Sequence, residues 1–201
     1  MRSVLLDDRS TPARIRDAAL KRFAADGFDR ATVRAIAADA EVSPGLVLHH
    51  FGSKEGLQTA CDDYVVRRVT AEMEPLIDRH AGPAAHPASF TQVFADAGDL
   101  VGYLGRALVE TGPRTDDMVD RLVTAAEAFL TDGEARGTIR SSTDRRALAA
   151  VLVIWDLASI VLGAHLARAL GETDQRTVID RYARVALEMF SHGFINPRED
   201  K

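Results

Sequence analysis

The sequence has very little cysteine: Cys61 is the only one among 201 residues. A single cysteine excludes an internal disulfide and a zinc site built from four cysteines. This scarcity fits the reducing cytosol, the compartment we expect for the chain. Because Cys61 falls on an apolar helical stripe with Leu57, Tyr64 and Val65, we predict that it is a small buried side chain.

Long apolar runs are also scarce. The first residues lack the apolar stretch of a signal peptide. Residues 147–164 are apolar apart from Asp156 and Ser159. A membrane span needs about 20 apolar residues, and an aspartate near its centre is costly. We therefore predict a buried helix at 147–164 and no membrane partner.

Groups that carry enzyme chemistry are missing as well. The sequence has no phosphate-binding loop and no Gly-x-Ser-x-Gly motif. His49 and His50 are adjacent, and neighbouring residues of a helix point about 100° apart, so such a pair rarely binds one ion. The other histidines have no partner four residues away. We predict no catalytic residue, no metal site and no cofactor.

Apolar residues do recur with helical spacing along the chain. The alternation of a strand is absent, so the spacing predicts an all-α fold. The net charge of −5 divides unevenly, into +1 over residues 1–56 and −6 over the remainder. The sign of this division fits a front segment that contacts DNA, although the difference is small.

The front segment contains three predicted helices. The first begins at Thr11-Pro12, because a hydroxyl cap followed by proline starts a helix, and it ends at Gly27. Thr32 caps a second, short helix, and Ser43 caps a third. Two short helices joined by three or four residues form a helix-turn-helix, whose second helix can enter the major groove of DNA.

Residues 11–57 carry a specific resemblance. The run from Thr32 has the pairs Ile36-Ala37 and Val42-Ser43, then Gly45, and closes with the tail His50-Phe51-x-x-Lys54-x-x-Leu57. These positions resemble the DNA-binding domain of the TetR family of bacterial repressors. The resemblance implies an N-terminal three-helix helix-turn-helix domain over 1–56, followed by a C-terminal helical ligand-binding and dimerisation domain over 57–201.

The resemblance also implies which residues contact DNA. We expect Thr32 and Arg34 at phosphate, at the start of the second helix. Lys54 adds a cation beside a helix N-terminus. The set expected near DNA is Thr32, Arg34, Ser43, Pro44, Gly45, Leu46, His49, His50 and Lys54.

The third helix departs from the family on its base-reading side. Leu46 stands where the family often has threonine, and Leu48 and His49 stand where it often has tyrosine. Either leucine could pack inward, or it could offer apolar contact, for example to a thymine methyl group. We expect an operator preference that rests on few polar base contacts.

The rest of the chain is also predicted to be helical. The spacing predicts a long helix from the Ser53 cap to about Arg79, a linker at 80–89, and helices at 90–97, 99–111, 116–136, 144–170 and 174–191. The helix over 144–170 is apolar on almost all sides. We expect it to form a four-helix dimer interface with 174–191 and a second copy.

The resemblance implies a second site, whose occupancy by a small apolar effector changes DNA affinity. Its candidate lining residues are aromatic or long apolar side chains, a type that more often forms core. They are Met73, Phe90, Phe94, Tyr103, Leu104, Met118, Leu122, Phe129 and Trp155. Asp156 is deep in an apolar helix and needs a partner if ionised. It forms a salt bridge or interface hydrogen bond, or it anchors a hydroxyl or cation of the ligand.

We therefore predict a homodimeric repressor that binds a double-stranded DNA operator and is released from it by a small apolar effector. The alternative is a DNA-binding regulator of the same fold without small-molecule induction. Such a regulator would respond to a protein partner or activate transcription.

Overall fold

A computed structural model of the chain describes residues 10–71, 98–110 and 112–192. Over these ranges the secondary structure is helical and contains no strand, which confirms the predicted all-α fold. The helices are α1 Thr11–Asp26, α2 Val33–Asp39, α3 Pro44–Phe51, α4 Lys54–Ala71, α5 Gly98–Val109, α6 Pro113–Ala135, α7 Arg145–Val161, α8 Gly163–Leu170 and α9 Gln175–His192.

The described residues fall into two compact units. The first contains residues 10–68 and 98–119, and the second contains 69–71 and 120–192. The first unit extends beyond residue 56, the boundary predicted from the sequence, because α5 packs along α1. Helical periodicity identifies an apolar face but does not say which helix covers it, so this packing could not be read from the sequence.

The helices α1, α2 and α3 each contribute side chains to the core of the first unit. Ile15 and Phe23 of α1, Ile36 of α2 and Val47 of α3 are at most 2% exposed. Burial of a side chain of this size stabilises the fold by about 1.5–3 kcal/mol. Phe28, in the loop after α1, turns back onto Phe23, with ring centroids 5.5 Å apart.

Cys61 of α4 is completely buried, which confirms its predicted place in the core. Burial raises the pKa of its thiol, because the charged thiolate is poorly solvated there. The predicted end of this helix near Arg79 lies outside the described residues.

Side-chain caps set the starts of α2 and α3. The hydroxyls of Thr32 and Ser43 each accept a hydrogen bond from the amide three residues later, at 3.1 and 3.2 Å. Both are the predicted caps. The predicted cap at Thr11 is wrong: the capping position of α1 is Ser10, whose side chain makes no cap hydrogen bond. The proline in the first turn fixes the start of this helix instead.

A proline in the first turn sets the start of α6. α6 begins at Pro113, three residues before the predicted start, because proline fits the first turn of a helix. Gly137 follows the end of α6 with φ 69°, a left-handed conformation that favours glycine.

The prediction of one helix over 144–170 is wrong. α7 ends at Val161 and α8 begins at Gly163, with a bend of 76° between them. The Ser159 hydroxyl donates to the Asp156 carbonyl at 2.6 Å, a bond that competes with the helical ladder. Within the ranges the structure describes, no single helix is long and apolar enough to cross a membrane, although α7 and α8 reach that length and composition as a bent pair.

Candidate functional site

The first unit presents a helix-turn-helix. A tight turn joins α2 to α3, and in it the Val42 amide donates to the Ala37 carbonyl at 2.9 Å. Glu41 adopts φ 55°, which is uncommon for a residue with a side chain. Ile36 and Val47 are both completely buried and fix the two helices against the core. The opposite side of α3 therefore faces away from the core.

Most of the residues expected at DNA are exposed. His49 and His50 lie in the last turn of α3, with ring centroids 5.4 Å apart. Leu46 is half-buried, whereas Leu48 is 44% exposed, so Leu48 does not pack inward. The remaining exposed members are Thr32, Arg34, Ser43, Pro44 and Gly45.

Lys54 begins α4 and is half-buried. Its ammonium donates to the Asp29 carbonyl at 3.3 Å and lies 4.2 Å from the centre of the Phe28 ring. An ammonium has three N–H donors, so the Asp29 carbonyl leaves further donors for a phosphate. These contacts also hold the start of α4 beside the loop that follows α1.

A buried polar cluster joins α4, α5 and α6 within the first unit. Asp62, 5% exposed, accepts hydrogen bonds from the Tyr103 hydroxyl at 2.6 Å and from the Arg114 guanidinium at 2.9 Å. The Gln58 amide, with its oxygen toward the guanidinium, accepts from Arg114 at 2.9 Å. Burial and the negative charge of Asp62 raise the pKa of Tyr103. A buried carboxylate with this many donors is well satisfied.

Sequence reasoning missed this cluster and placed Tyr103 in the ligand set. The structure places Tyr103, Leu104 and Met118 in the tightly packed core of the first unit, each at most 2% exposed. One signal was available in the sequence. Gln58 and Asp62 are four residues apart on α4, directly beside the apolar stripe that contains Cys61.

The second unit has an open apolar pocket of about 620 Å³ on α7, α8 and α9. Trp155, a predicted ligand residue, lines it together with Ile154, Leu162 and Tyr182. Two other predicted residues of this unit are on α6, where Leu122 is buried and Phe129 is half-buried. The predicted ligand residues Met73, Phe90 and Phe94 lie outside the described residues.

Asp156 follows Trp155 on α7 and is half-buried. Burial raises the pKa of its carboxyl group from 3.8 to about 7. Burial and the charge of Asp156 together raise the pKa of Tyr182 to about 12, so the two side chains interact. Within the described part of the chain, no hydrogen bond or ion pair satisfies the Asp156 carboxylate.

Large apolar side chains are exposed on α7 and α9. Val151, Ile154 and Leu162, which line the pocket, and Val185 of α9 are each more than half exposed. An exposed apolar patch of this kind often marks a surface where another molecule binds.

Two family models match the chain. Residues 15–61 match the model described as bacterial regulatory proteins of the tetR family, and residues 96–196 match the tetracyclin repressor-like C-terminal domain. The HTH-type transcriptional regulatory protein RaaS of Mycobacterium tuberculosis is 33% identical over 195 residues, which cover 95% of this chain and 90% of RaaS.

Solved structures share the fold. FadR from Bacillus subtilis, in complex with stearoyl-CoA, is 17% identical with a TM-score of 0.70, covering 91% of this chain and 99% of FadR. FadR from Bacillus halodurans is 15% identical with a TM-score of 0.67, covering 90% and 97% of the two chains.

Proposed function

The chain belongs to the TetR family of bacterial transcriptional regulators, and we propose that it is a repressor that a small apolar effector releases from its operator. The observation that carries this proposal is the outward-facing side of α3. Its helix is capped by Ser43 and anchored by Val47, while Leu48, His49 and His50 remain exposed. A short, rigidly held helix of this kind fits the major groove.

Phosphate contacts supply the affinity in this proposal. Thr32 and Arg34 are exposed at the start of α2, and Lys54 begins α4. Contacts of this kind with the DNA backbone carry no sequence information and set the register of the protein on DNA.

A second copy covers the apolar faces of α7 and α9. A homodimer presents two recognition helices, which a palindromic operator needs at a separation of about 34–36 Å. In a dimer the exposed side chains of Val151, Ile154 and Val185 would be removed from water, which favours association.

The effector site belongs to the second unit in this proposal and includes Trp155, Asp156, Leu122 and Phe129, with Met73, Phe90 and Phe94 as further candidates. An apolar effector fits the aromatic and aliphatic character of this set. FadR from Bacillus subtilis was solved with stearoyl-CoA, whose acyl chain is an apolar ligand of this type.

DNA binding is tested with duplexes from upstream of the chain's own gene. We expect wild type to shift one duplex, and Arg34→Ala and Lys54→Ala to weaken all duplexes alike and to lower the salt slope by about one each. Lys21→Ala is the control, because Lys21 pairs with Asp99 on α5. Binding of no duplex would contradict the proposal. Selective loss at one base pair would contradict the phosphate assignment.

Dimerisation is tested by sedimentation velocity on Ile154→Glu. We expect a monomer with greatly weakened operator binding, because the carboxylate places a charge in the covered face. Val109→Glu is the matched control, since Val109 is 68% exposed on α5 of the other unit. A dimer that survives Ile154→Glu, or a monomeric wild type, would contradict this interface.

The effector is sought by a thermal-shift screen of apolar compounds, followed by release of the labelled duplex. Asp156→Ala separates the two roles of that residue. Loss of the response in an intact dimer assigns Asp156 to the effector, whereas loss of the dimer assigns it to the interface. A protein that binds DNA and responds to no compound would favour the alternative regulator without small-molecule induction.

A further inference from the structure

The surface of α3 has an unusual chemical composition for a helix that reads DNA. Asparagine, glutamine and arginine, which form paired hydrogen bonds with bases, are absent from residues 43–51. The Ser43 hydroxyl already accepts a bond from the Leu46 amide as the helix cap. The histidines are the remaining side chains of α3 with hydrogen-bonding groups, and they lie in its last turn.

Leu48 is the largest apolar group on the exposed side of α3. Its neighbour Val47 is completely buried, while Leu48 remains 44% exposed. A single exposed leucine is common on protein surfaces and needs no explanation by itself. The exposure of Leu48 becomes informative together with Gly45, which lies one turn earlier in α3.

Gly45 lies three residues before Leu48 and therefore on the same side of the helix. Its backbone does not adopt a positive φ. A methyl group added at Gly45 would meet only the Ser43 hydroxyl, at an ordinary 3.9 Å, so the fold itself accepts alanine there. Glycine leaves a shallow notch beside Leu48, into which another surface can approach closely.

We propose that Leu48, beside the notch at Gly45, reads the 5-methyl group of a thymine in each operator half-site. The thymine methyl is the apolar group that a base pair presents in the major groove, and contact with it distinguishes thymine from the other bases. This inference rests on the proposed DNA-binding function and adds the base that the third helix selects.

The test deletes only the methyl group. A duplex selected from random DNA by the wild type is remade with deoxyuridine in place of each thymine in turn. Loss of one buried methyl weakens binding about four-fold. We expect one thymine per half-site to show this loss with wild type and none with Leu48→Ala. Val109→Ala, which shortens an exposed apolar side chain of α5 outside the DNA-binding set, should keep the four-fold loss.

Gly45→Ala provides a second measurement. The extra methyl fits the free protein and alanine favours helix over glycine, so we expect the variant to unfold in urea no more easily than wild type. We expect its operator affinity to fall by about ten-fold, because the helix cannot approach as closely. Wild-type affinity in Gly45→Ala would overturn the close approach.

Several outcomes would overturn the thymine contact. One is that wild type binds DNA with no dependence on any thymine methyl. Another is that Leu48→Ala folds, as its unfolding curve reports, and keeps the dependence. Selection that recovers no duplex at all would overturn the proposed function and, with it, this inference. A duplex that is bound without dependence on any thymine methyl would overturn this inference alone.

Discussion

The Tyr103 hydroxyl donates a 2.6 Å hydrogen bond to the Asp62 carboxylate, which joins α5 to α4 inside the first unit. Arg114 of α6 reaches the same carboxylate. A charge in such a place requires its donors, because an unsatisfied buried carboxylate is costly. The helix that begins at Lys54 is thereby held by polar contacts as well as by its apolar stripe.

Tyr103→Phe removes one donor from Asp62 and keeps the ring. We expect the free energy of unfolding to fall by about 1–2 kcal/mol, as measured by urea denaturation. Tyr64→Phe is the control, because the Tyr64 ring stacks under the Arg16 guanidinium at 3.6 Å and the substitution keeps that ring. Equal losses in the two variants would contradict the importance of the bond to Asp62.

Ser43→Ala removes the cap of the recognition helix. We expect a loss of about 1 kcal/mol in unfolding free energy, together with weaker operator binding. Ser10→Ala provides the comparison, since Ser10 occupies the same position before α1 but makes no cap bond. Its effect should stay within about 0.5 kcal/mol. If both serines proved equally important, the observed cap geometry would not explain the stability of α3.

Gly133 lies in α6 with its Cα against Ile139. A methyl group at Gly133 would come within 2.7 Å of Ile139 Cγ1, so Gly133→Ala should destabilise the protein by about 1–3 kcal/mol. In an Ile139→Ala background the same change should be neutral or stabilise by up to about 1 kcal/mol, because alanine favours helix over glycine. The four unfolding free energies form a double-mutant cycle, and additivity would contradict the clash.

Asp156 makes stability depend on pH. Its folded pKa of about 7 exceeds the ordinary value of 3.8, so the folded state binds the proton more tightly than the unfolded state. The contribution of Asp156 to the free energy of unfolding is therefore largest below pH 4. It is lost as the pH rises toward 7, by up to about 1.4 kcal/mol per pH unit.

The prediction is that Asp156→Asn flattens this decline between pH 5 and 8. Urea unfolding at fixed protein concentration measures it. Asp120→Asn removes the same charge from an exposed position and should keep the wild-type slope. Parallel curves for wild type and Asp156→Asn would show that the buried carboxyl group does not titrate in this range.

The sequence predicted local features well and contacts between distant segments poorly. Thr32 and Ser43 were found as caps because each bonds to an amide three residues away. Asp62 was missed because Tyr103 and Arg114 are 41 and 52 residues away along the chain. No local pattern encodes which helices bring such residues together.

The break between α7 and α8 shows a related limit. The apolar character of 147–164 was clear from the sequence, but it did not reveal the bend, one turn before which the Ser159 hydroxyl donates to the Asp156 carbonyl. The outward side of α3 was easier to predict, because the helix-turn-helix has a fixed register in which Val47 packs inward while Leu48 stays exposed.

The burial of Cys61 gives the protein an intrinsic reporter. Since solvent does not reach the chain's one thiol, an alkylating reagent can modify it only after α4 separates from its neighbours. The labelling rate of the native chain therefore follows the opening of that helix without any engineered probe. A molecule that clamps α4 in place lengthens the time for which this thiol stays unmodified.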